Sequence, residues 1–176
     1  AFIYLVWIKE KIDSKDIVRF FACGFFGIAF NQMMFFKGIS LTSTINASLL
    51  MITTPIITFF ISKIILKETL NYINIIGLLL GTTGAAILIF SSASGQHSSN
   101  IWGDLCIVLN AISYSIYLII AKPLMKKYNP LTVIFLSFTF GFIWVAFFGF
   151  RQFLDIPWAN IPSLNYLNII FVILVA

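Results

Sequence analysis

Long apolar runs separated by short polar segments dominate the chain. Five runs are complete, and they cover Ile17–Gly38, Thr44–Leu66, Tyr72–Phe90, Ile101–Leu124 and Pro130–Phe150. Each is close in length to the ~20 residues that an α-helix needs to cross a bilayer. Two further apolar stretches, Phe2–Ile8 and Leu164–Ala176, are shorter. The pattern predicts an all-α, polytopic membrane helix bundle with five complete spans and two partial ones. We therefore expect an internal fragment, cut within a helix at each end.

The composition agrees with a membrane protein, because 60% of the residues are hydrophobic and 10% are charged, whereas soluble domains carry roughly 25% charged residues. The net charge of +5 does not indicate nucleic-acid binding, since the basic residues lie at helix ends and form no continuous stripe. Cys23 and Cys106 fall within predicted spans, and the one histidine, His97, lies in a polar loop. A metal site needs several such ligands together, so we expect no metal, no cofactor and no nucleic-acid partner.

The basic residues predict the orientation in the membrane. All of the 11 Lys and Arg residues except Lys37 and Arg151 lie at the ends of spans that face one side. These positions are Lys9, Lys11, Lys15, Arg19, Lys63, Lys67, Lys122, Lys126 and Lys127. Since cytoplasmic loops carry the excess of Lys and Arg, we place this side in the cytoplasm and the polar loop Ser91–Asn100 outside.

Pro55 is the most unusual residue of the second span. It has no N–H, and its ring clashes with the carbonyl of Met51, which predicts a kink near the middle of the bilayer. At ~100° per residue, one face of this helix carries Ala47, Met51, Thr54, Thr58 and Ser62. This face is either the wall of a cavity that exposes a backbone acceptor to a substrate, or part of a kink that a neighbouring hydroxyl heals.

A second polar face is predicted on the fourth span, where four side chains align: Asn110, Ser113, Tyr114 and Tyr117. Two phenols and an amide can hydrogen-bond and stack a small polar solute. The alternative is that these groups join neighbouring helices, at ~0.6 kcal/mol for each bond.

Glycines predict two surfaces for helix packing, because small residues let helices approach closely. Gly24 and Gly27 align with Asn31 on the first complete span, and Gly77, Gly81 and Gly84 lie on one side of the third. A branched side chain at Gly81 is therefore expected to push two helices apart. Asn31 would face protein, and both pathway and packing roles are open for it.

Three ionisable residues near the spans have alternative roles, since a charge inside a membrane marks function by default. Lys37 lies at the outer end of its span, where it can snorkel to the headgroups. Asp104 follows Asn100, a candidate cap, and a carboxylate in the first helical turn is favoured by the helix dipole. Proton coupling is its alternative role. Glu68 is expected to cap a helix or form an ion pair at the cytoplasmic end, and substrate contact is its alternative.

A series of short motifs carries a resemblance over about sixty residues. In order, they are Phe35-Phe36-Lys37-Gly38, Leu41-Thr42-Ser43, Asn46-Ala47-Ser48, Thr53-Thr54-Pro55-Ile56, Leu66-Lys67-Glu68 and the glycines of the third span. This order and spacing resembles the EamA branch of the drug/metabolite transporter superfamily. Gly103–Pro130 is more loosely similar to the opening of the family's second repeat.

The resemblance implies ten helices arranged as two inverted five-helix repeats. Residues 1–92 would then be the C-terminal part of the first repeat, residues 93–100 an extracytoplasmic connector, and residues 101–176 the N-terminal part of the second repeat. Inverted repeats place the substrate site near the midplane between the halves. The resemblance thus favours a cavity, rather than a healed kink, at Pro55.

The function implied by the resemblance is secondary transport, usually export, of a small metabolite such as an amino acid across the bacterial inner membrane. The partners would be the lipid bilayer and a small-molecule substrate, and a homodimer is left open. An intramembrane enzyme is disfavoured, because no histidine lies in a span and only Asp104 approaches one. A structural membrane subunit without its own pathway is the other alternative. It would have apolar interior faces, whereas these faces carry Thr, Asn and Tyr.

Overall fold

A computed structural model describes residues 10–66, 72–92, 100–156, 162, 165–168 and 171. Its regular structure is entirely helical. The elements are α1 (Ser14–Gly24), a π-helical segment (Phe25–Ala29), α2 (Phe30–Leu41), α3 (Thr44–Met51), α4 (Thr54–Leu66), α5 (Tyr72–Ser92), α6 (Ile101–Lys127) and α7 (Pro130–Leu154). Predictions for Phe2–Ile8, for Glu68 and for His97 fall outside the described residues, as does most of the last apolar stretch.

Four segments of the described chain are long and apolar enough to cross a membrane: Ser14–Leu41, Thr44–Leu66, Ile101–Lys127 and Pro130–Leu154. They confirm the predicted all-α, multi-pass membrane bundle. The third predicted span, Tyr72–Phe90, corresponds to α5, which has 21 residues and contains a shorter apolar stretch, Ile75–Gly84.

Polar side chains begin three of the spans in the expected way. Asp13, Ser43 and Asn100 each accept a hydrogen bond from a backbone N–H in the first turn of the following helix. Such caps satisfy donors that have no partner within the helix. Asn100 is therefore the cap that the sequence predicts for the fourth span.

The second span is two helices rather than one kinked helix. α3 ends at Met51, a turn covers Ile52 and Thr53, and α4 begins at Thr54. Pro55 causes this break, because it cannot donate a hydrogen bond to the carbonyl of Met51. Within the turn, Thr53 bonds the Leu50 carbonyl twice, through its N–H at 3.0 Å and its hydroxyl at 2.6 Å.

α6 is the central helix of the described bundle, since α1, α2, α3 and α4 all pack against it. A buried cluster lies near its C-terminal end and contains Phe20, Cys23, Ala121, Leu124, Tyr128 and Val133. The chain forms two compact units, Ala1–Val145 and Ala146–Ala176. In the second unit, the rings of Phe147 and Phe148 pair with their centroids 5.3 Å apart.

The glycines of the first span lie in close helix contacts. A Cβ atom added to Gly24 would lie 2.6 Å from the backbone nitrogen of Gly141 in α7. A Cβ atom added to Gly27 would lie 2.6 Å from the ring of Tyr117 in α6. Gly27 lies in the π-helical segment, which the sequence analysis did not predict.

The glycines of α5 meet no described neighbour at contact distance, so the packing seam predicted for them stays a prediction. No atom of the described residues lies within 4 Å of a Cβ atom added to Gly77, Gly81 or Gly84. Gly77 and Gly81 instead border a cavity of about 310 Å³ together with residues on both sides of the Ile52–Thr53 break.

Candidate functional site

Two asparagines join the first span to α6. The side-chain amide of Asn31 donates to the carbonyl of Asn110 at 3.2 Å, and the amide of Asn110 donates to the carbonyl of Asn31 at 2.8 Å. Asn110 is buried. Because each amide is paired with the other residue's backbone, this reciprocal contact fixes α2 against α6 in one register.

The polar face that the sequence predicts on α6 is divided in the structure. Ser113 is buried and donates to the carbonyl of Phe26 in the π-helical segment at 2.6 Å, and Tyr117 lies against Gly27. Tyr114 is 41% exposed and lines two cavities. Asn110, Ser113 and Tyr117 thus contact the first span, whereas Tyr114 faces open space beside α4.

Ser115 joins α6 to α4 and was missed by the sequence analysis. Its side chain is fully buried. Its hydroxyl lies 2.7 Å from that of Thr58 and 2.8 Å from the carbonyl of Ala111. Thr58 also donates to the carbonyl of Thr54 at 2.8 Å. The available signal was the spacing of Ala111 and Ser115, two small residues four positions apart, which is typical of a membrane helix interface.

The larger cavity beside these contacts lies between α4 and α6, and we call it the α4–α6 cavity. Its volume is about 570 Å³, which lies within the ~300–1,000 Å³ range of ligand pockets. Its polar lining consists of Thr54, Thr58, Ser62, Tyr114 and Lys122, and its apolar lining of Pro55, Phe59, Leu66, Leu118 and Ile119. The structure therefore brings the Thr54–Thr58 face and Tyr114 to one space, and Ser113 and Tyr117 do not line it.

A second cavity of about 390 Å³ lies between α2 and α6, and we call it the α2–α6 cavity. It is lined by Asn31, Gln32, Phe35, Met51, Thr54, Asn110 and Tyr114. Thr54 and Tyr114 line both cavities. These two side chains therefore stand where the two spaces adjoin.

Asp104 contributes to contacts at the other end of α6. Its carboxylate accepts a hydrogen bond from the hydroxyl of Thr42 at 2.6 Å, and Thr42 is buried. A Cβ atom added to the neighbouring Gly103 would lie 2.8 Å from the backbone nitrogen of Thr42. The carboxylate thus helps to hold the α2–α3 turn against the start of α6.

At the C-terminal end of α6, far from Asp104, an ionic cluster joins this helix to the start of the first span. The ammonium of Lys127 lies 2.5 Å from Asp16 and 3.3 Å from Asp13, and the phenol of Tyr128 donates to Asp16 at 2.8 Å. The backbone N–H of Lys15 and then Lys127 hold the pKa of Asp13 below its ordinary value. The sequence pattern places Lys127 among the basic residues at the ends of spans but predicts no partner for it, because Asp13 and Asp16 lie more than 110 positions away.

No group of three or more His, Cys, Asp or Glu residues in the described part of the chain is arranged to hold a metal ion. The chemistry of the cavities is therefore that of hydroxyls, amides, one ammonium and apolar side chains.

Comparison with known proteins gives a consistent set of relatives. A family model described as the EamA-like transporter family matches residues 1–90. "Uncharacterized transporter YdfC" of Bacillus subtilis is 33% identical over 72% of this chain and 40% of its own length. An "Uncharacterized transporter" of Archaeoglobus fulgidus is 26% identical over 75% of this chain and 46% of its own length.

A third relative carries a more specific name. The "Probable terminal-alkyne amino-acid exporter" of Streptantibioticus cattleyicolor is 22% identical over 68% of this chain and 39% of its own length. The chain thus spans less than half of the length of each of these three relatives. No solved structure matches it.

Proposed function

Since the chain belongs to the EamA-like transporter family, we propose that it forms part of a secondary transporter that exports a small metabolite, such as an amino acid. The solute passes along the space between α4 and α6. The membrane is the bacterial inner membrane, with the ionic cluster of Asp13, Asp16 and Lys127 on its cytoplasmic side.

The observation that carries this proposal is the sharing of Thr54 and Tyr114 by two cavities. In the orientation that the basic residues predict, the α2–α6 cavity lies toward the outside and the α4–α6 cavity toward the cytoplasm. The two cavities follow one another along α6. A solute that moves from one to the other passes between the hydroxyl of Thr54 and the phenol of Tyr114.

The arrangement of repeats supports the same route. α4 falls within the segment assigned to the first repeat, and α6 within the segment assigned to the second. Inverted repeats form substrate sites where their halves meet, often beside interrupted helices. The break at Ile52–Thr53 lies next to this meeting point, because Thr54, which lines both cavities, follows it directly.

The chemistry of the lining supports transport of a small polar solute. Each hydroxyl or phenol contributes a net ~0.5–1.5 kcal/mol per hydrogen bond, which holds a solute without trapping it. An amino acid has both polar ends and an apolar body, and Phe59 and Leu118 offer apolar contacts in the same cavity. The name of the Streptantibioticus relative points to the same class of substrate.

The test uses the full-length protein in a strain sensitised to toxic amino-acid analogues. Thr54→Val and Tyr114→Phe keep the shape of the side chain and remove one hydroxyl each. We expect both to lower export about two- to tenfold, the effect of losing one hydrogen bond, at unchanged membrane abundance.

Two matched controls separate the route from general damage. Tyr117→Phe removes only the hydroxyl of a tyrosine that packs on Gly27 and lines neither cavity. Thr139→Val removes a hydroxyl that bonds within its own helix, to the carbonyl of Phe135. Normal export by the Thr54 and Tyr114 variants, or equal losses in the controls, would place the route elsewhere.

A further inference from the structure

We propose that Gln32 is a specificity-determining residue of the α2–α6 cavity, where its side-chain amide binds an uncharged polar group of the solute, such as a carboxamide. This inference rests on the proposed transport function and adds the class of solute that the route admits. A solute that carries a carboxylate or an ammonium in place of the uncharged group is disfavoured at this point.

Three side-chain amides line the α2–α6 cavity, and they belong to Asn31, Gln32 and Asn110. The amides of Asn31 and Asn110 each donate to the backbone carbonyl of the other residue, so both contribute to helix packing. Gln32 takes no part in this contact and is exposed. Of the three amides, that of Gln32 is therefore the one best placed to bind a solute.

Two further residues with hydrogen-bonding groups line the same cavity from other helices. Thr54, at the start of α4, carries a hydroxyl, and Tyr114, on α6, carries a phenol. Each of these groups can donate and accept a hydrogen bond, and the amide of Gln32 can do both at once. A carboxamide matches this set, because it also has donors and an acceptor side by side. An ammonium only donates, and a carboxylate only accepts.

The described lining of the α2–α6 cavity carries no formal charge. Besides the three amides, the hydroxyl and the phenol, it consists of the ring of Phe35 and the thioether of Met51. Moving an ion from water into such a site costs free energy unless an opposite charge compensates it. An uncharged amide loses only hydrogen bonds to water, which the lining can replace. The cavity therefore favours an uncharged polar group over an ion of similar size.

Gln32 also distinguishes this cavity from the α4–α6 cavity. Thr54 and Tyr114 line both spaces, whereas Gln32 is among the described lining residues of the α2–α6 cavity alone. Phe35 follows Gln32 by about one turn of α2 and lines the same space, where its ring offers a flat apolar surface to a planar amide. Selection of the solute at Gln32 can therefore be separated by mutation from its passage between Thr54 and Tyr114.

The experiment measures binding of three probes to the purified full-length protein by isothermal titration calorimetry. Glutamine carries a carboxamide at the end of its side chain, glutamate a carboxylate and norvaline a methyl group. All three have the same α-amino and α-carboxylate groups, so the comparison isolates the end of the side chain. We expect glutamine to bind about fivefold more tightly than norvaline, the effect of one net hydrogen bond. Glutamate should bind at least about fivefold more weakly than glutamine.

Variants at Gln32 test whether this side chain causes the preference. Gln32→Met has a similar length without the amide and is expected to remove the preference for glutamine over norvaline. Gln32→Asn keeps an amide on a side chain that is one methylene shorter, and is expected to retain part of it. Gln152→Met is the matched control, because Gln152 is an exposed glutamine of α7 that is not among the described lining residues.

Four outcomes would overturn the role of Gln32: equal binding of glutamine and norvaline by the wild type, binding of glutamate as tight as that of glutamine, no binding of any probe, or a preference that survives in Gln32→Met. The ranking of the probes by the wild type needs no variant, so it tests the proposal even where a variant fails to fold.

The transport proposal is judged separately. If Thr54→Val and Tyr114→Phe lose export while Gln32→Met keeps the preference for glutamine, the route stands and the role of Gln32 fails. If those two variants export normally while Gln32→Met loses the preference, the route fails and Gln32 remains part of a binding site.

Discussion

Gly24→Ala and Gly81→Ala make the same chemical change in two different surroundings. A Cβ atom at Gly24 would lie 2.6 Å from the backbone nitrogen of Gly141 and 2.7 Å from the Cβ of Phe140. A Cβ atom at Gly81 would meet no described atom within 4 Å. We expect Gly24→Ala to destabilise the protein and Gly81→Ala to be neutral or mildly stabilising.

The magnitude follows from the distances. The contact at Gly24 falls 0.8 Å short of the 3.4 Å at which ordinary van der Waals contact begins. Two of the atoms opposite belong to the backbone of α7 and the third is the Cβ atom of Phe140; none of them can rotate away as the far end of a side chain can. Overpacking of this kind costs ~1–3 kcal/mol. Both variants gain up to ~1 kcal/mol in helix propensity, and this gain cancels when the two are compared, so their unfolding free energies should differ by ~1–3 kcal/mol.

The assay is unfolding of the detergent-solubilised full-length protein by SDS titration, followed by far-UV circular dichroism. Gly27→Ala is an informative third variant, because its Cβ atom would meet the ring of Tyr117, which can yield more easily than backbone. The expected order of stability is Gly81→Ala, then Gly27→Ala, then Gly24→Ala. If Gly81→Ala and Gly24→Ala lose equal stability, the assignment of open space at α5 is refuted and the packing seam predicted from the sequence is favoured.

Three further predictions concern the contacts between helices. Asn110→Ala removes the amide that bonds the carbonyl of Asn31 and should lower the unfolding free energy by ~0.6–1.7 kcal/mol in the same SDS titration, with the isosteric Asn110→Leu no better. Ser115→Leu should abolish the yield of folded protein, as measured by size-exclusion chromatography, because the buried Ser115 faces Thr58. Ser115→Ala should lower the free energy of unfolding by only ~0.6 kcal/mol. The pKa of Asp13 is depressed from 3.8, so its stabilising effect is present above that pH and lost as the pH falls further. The melting temperatures of the wild type and Asp13→Asn should therefore differ at pH 6 and approach each other as the pH falls below 3.8.

The spans could be predicted from the sequence because length and hydropathy alone decide what crosses a bilayer. The interruption of the helix at Pro55 was also predictable, because the missing N–H is a property of that one residue. Its extent was not, because whether the chain kinks or breaks depends on how Thr53 satisfies the backbone of the turn.

Contacts between helices were less predictable, because spacing along one helix does not say which helix lies opposite. Gly77, Gly81 and Gly84 have the same small-residue pattern as Gly24 and Gly27, yet only the latter two meet a neighbouring helix among the described residues.

The candidate site shows the same limit. Tyr114 and Tyr117 looked equivalent on a helical wheel, and their different surroundings are set by the position of α6 between the first span and α4. Ser115 was overlooked because it lies next to Tyr114 in sequence and its partner, Thr58, is 57 positions away.

The interruption at Ile52–Thr53 also has a mechanical consequence. α4 has 13 residues and is about 20 Å long, so a hinge at the interruption would make it a lever that pivots about its N-terminal end. A rotation of ~10° about the interruption displaces the far end by ~3 Å, and Ser62 by about 2 Å, without disturbing the Asn31–Asn110 contact or the ionic cluster. Hinges of this kind need only a few residues to absorb the change. We therefore expect the width of the α4–α6 cavity at Lys122 to respond most strongly to bending at Ile52–Thr53, while the space next to Thr54 changes least.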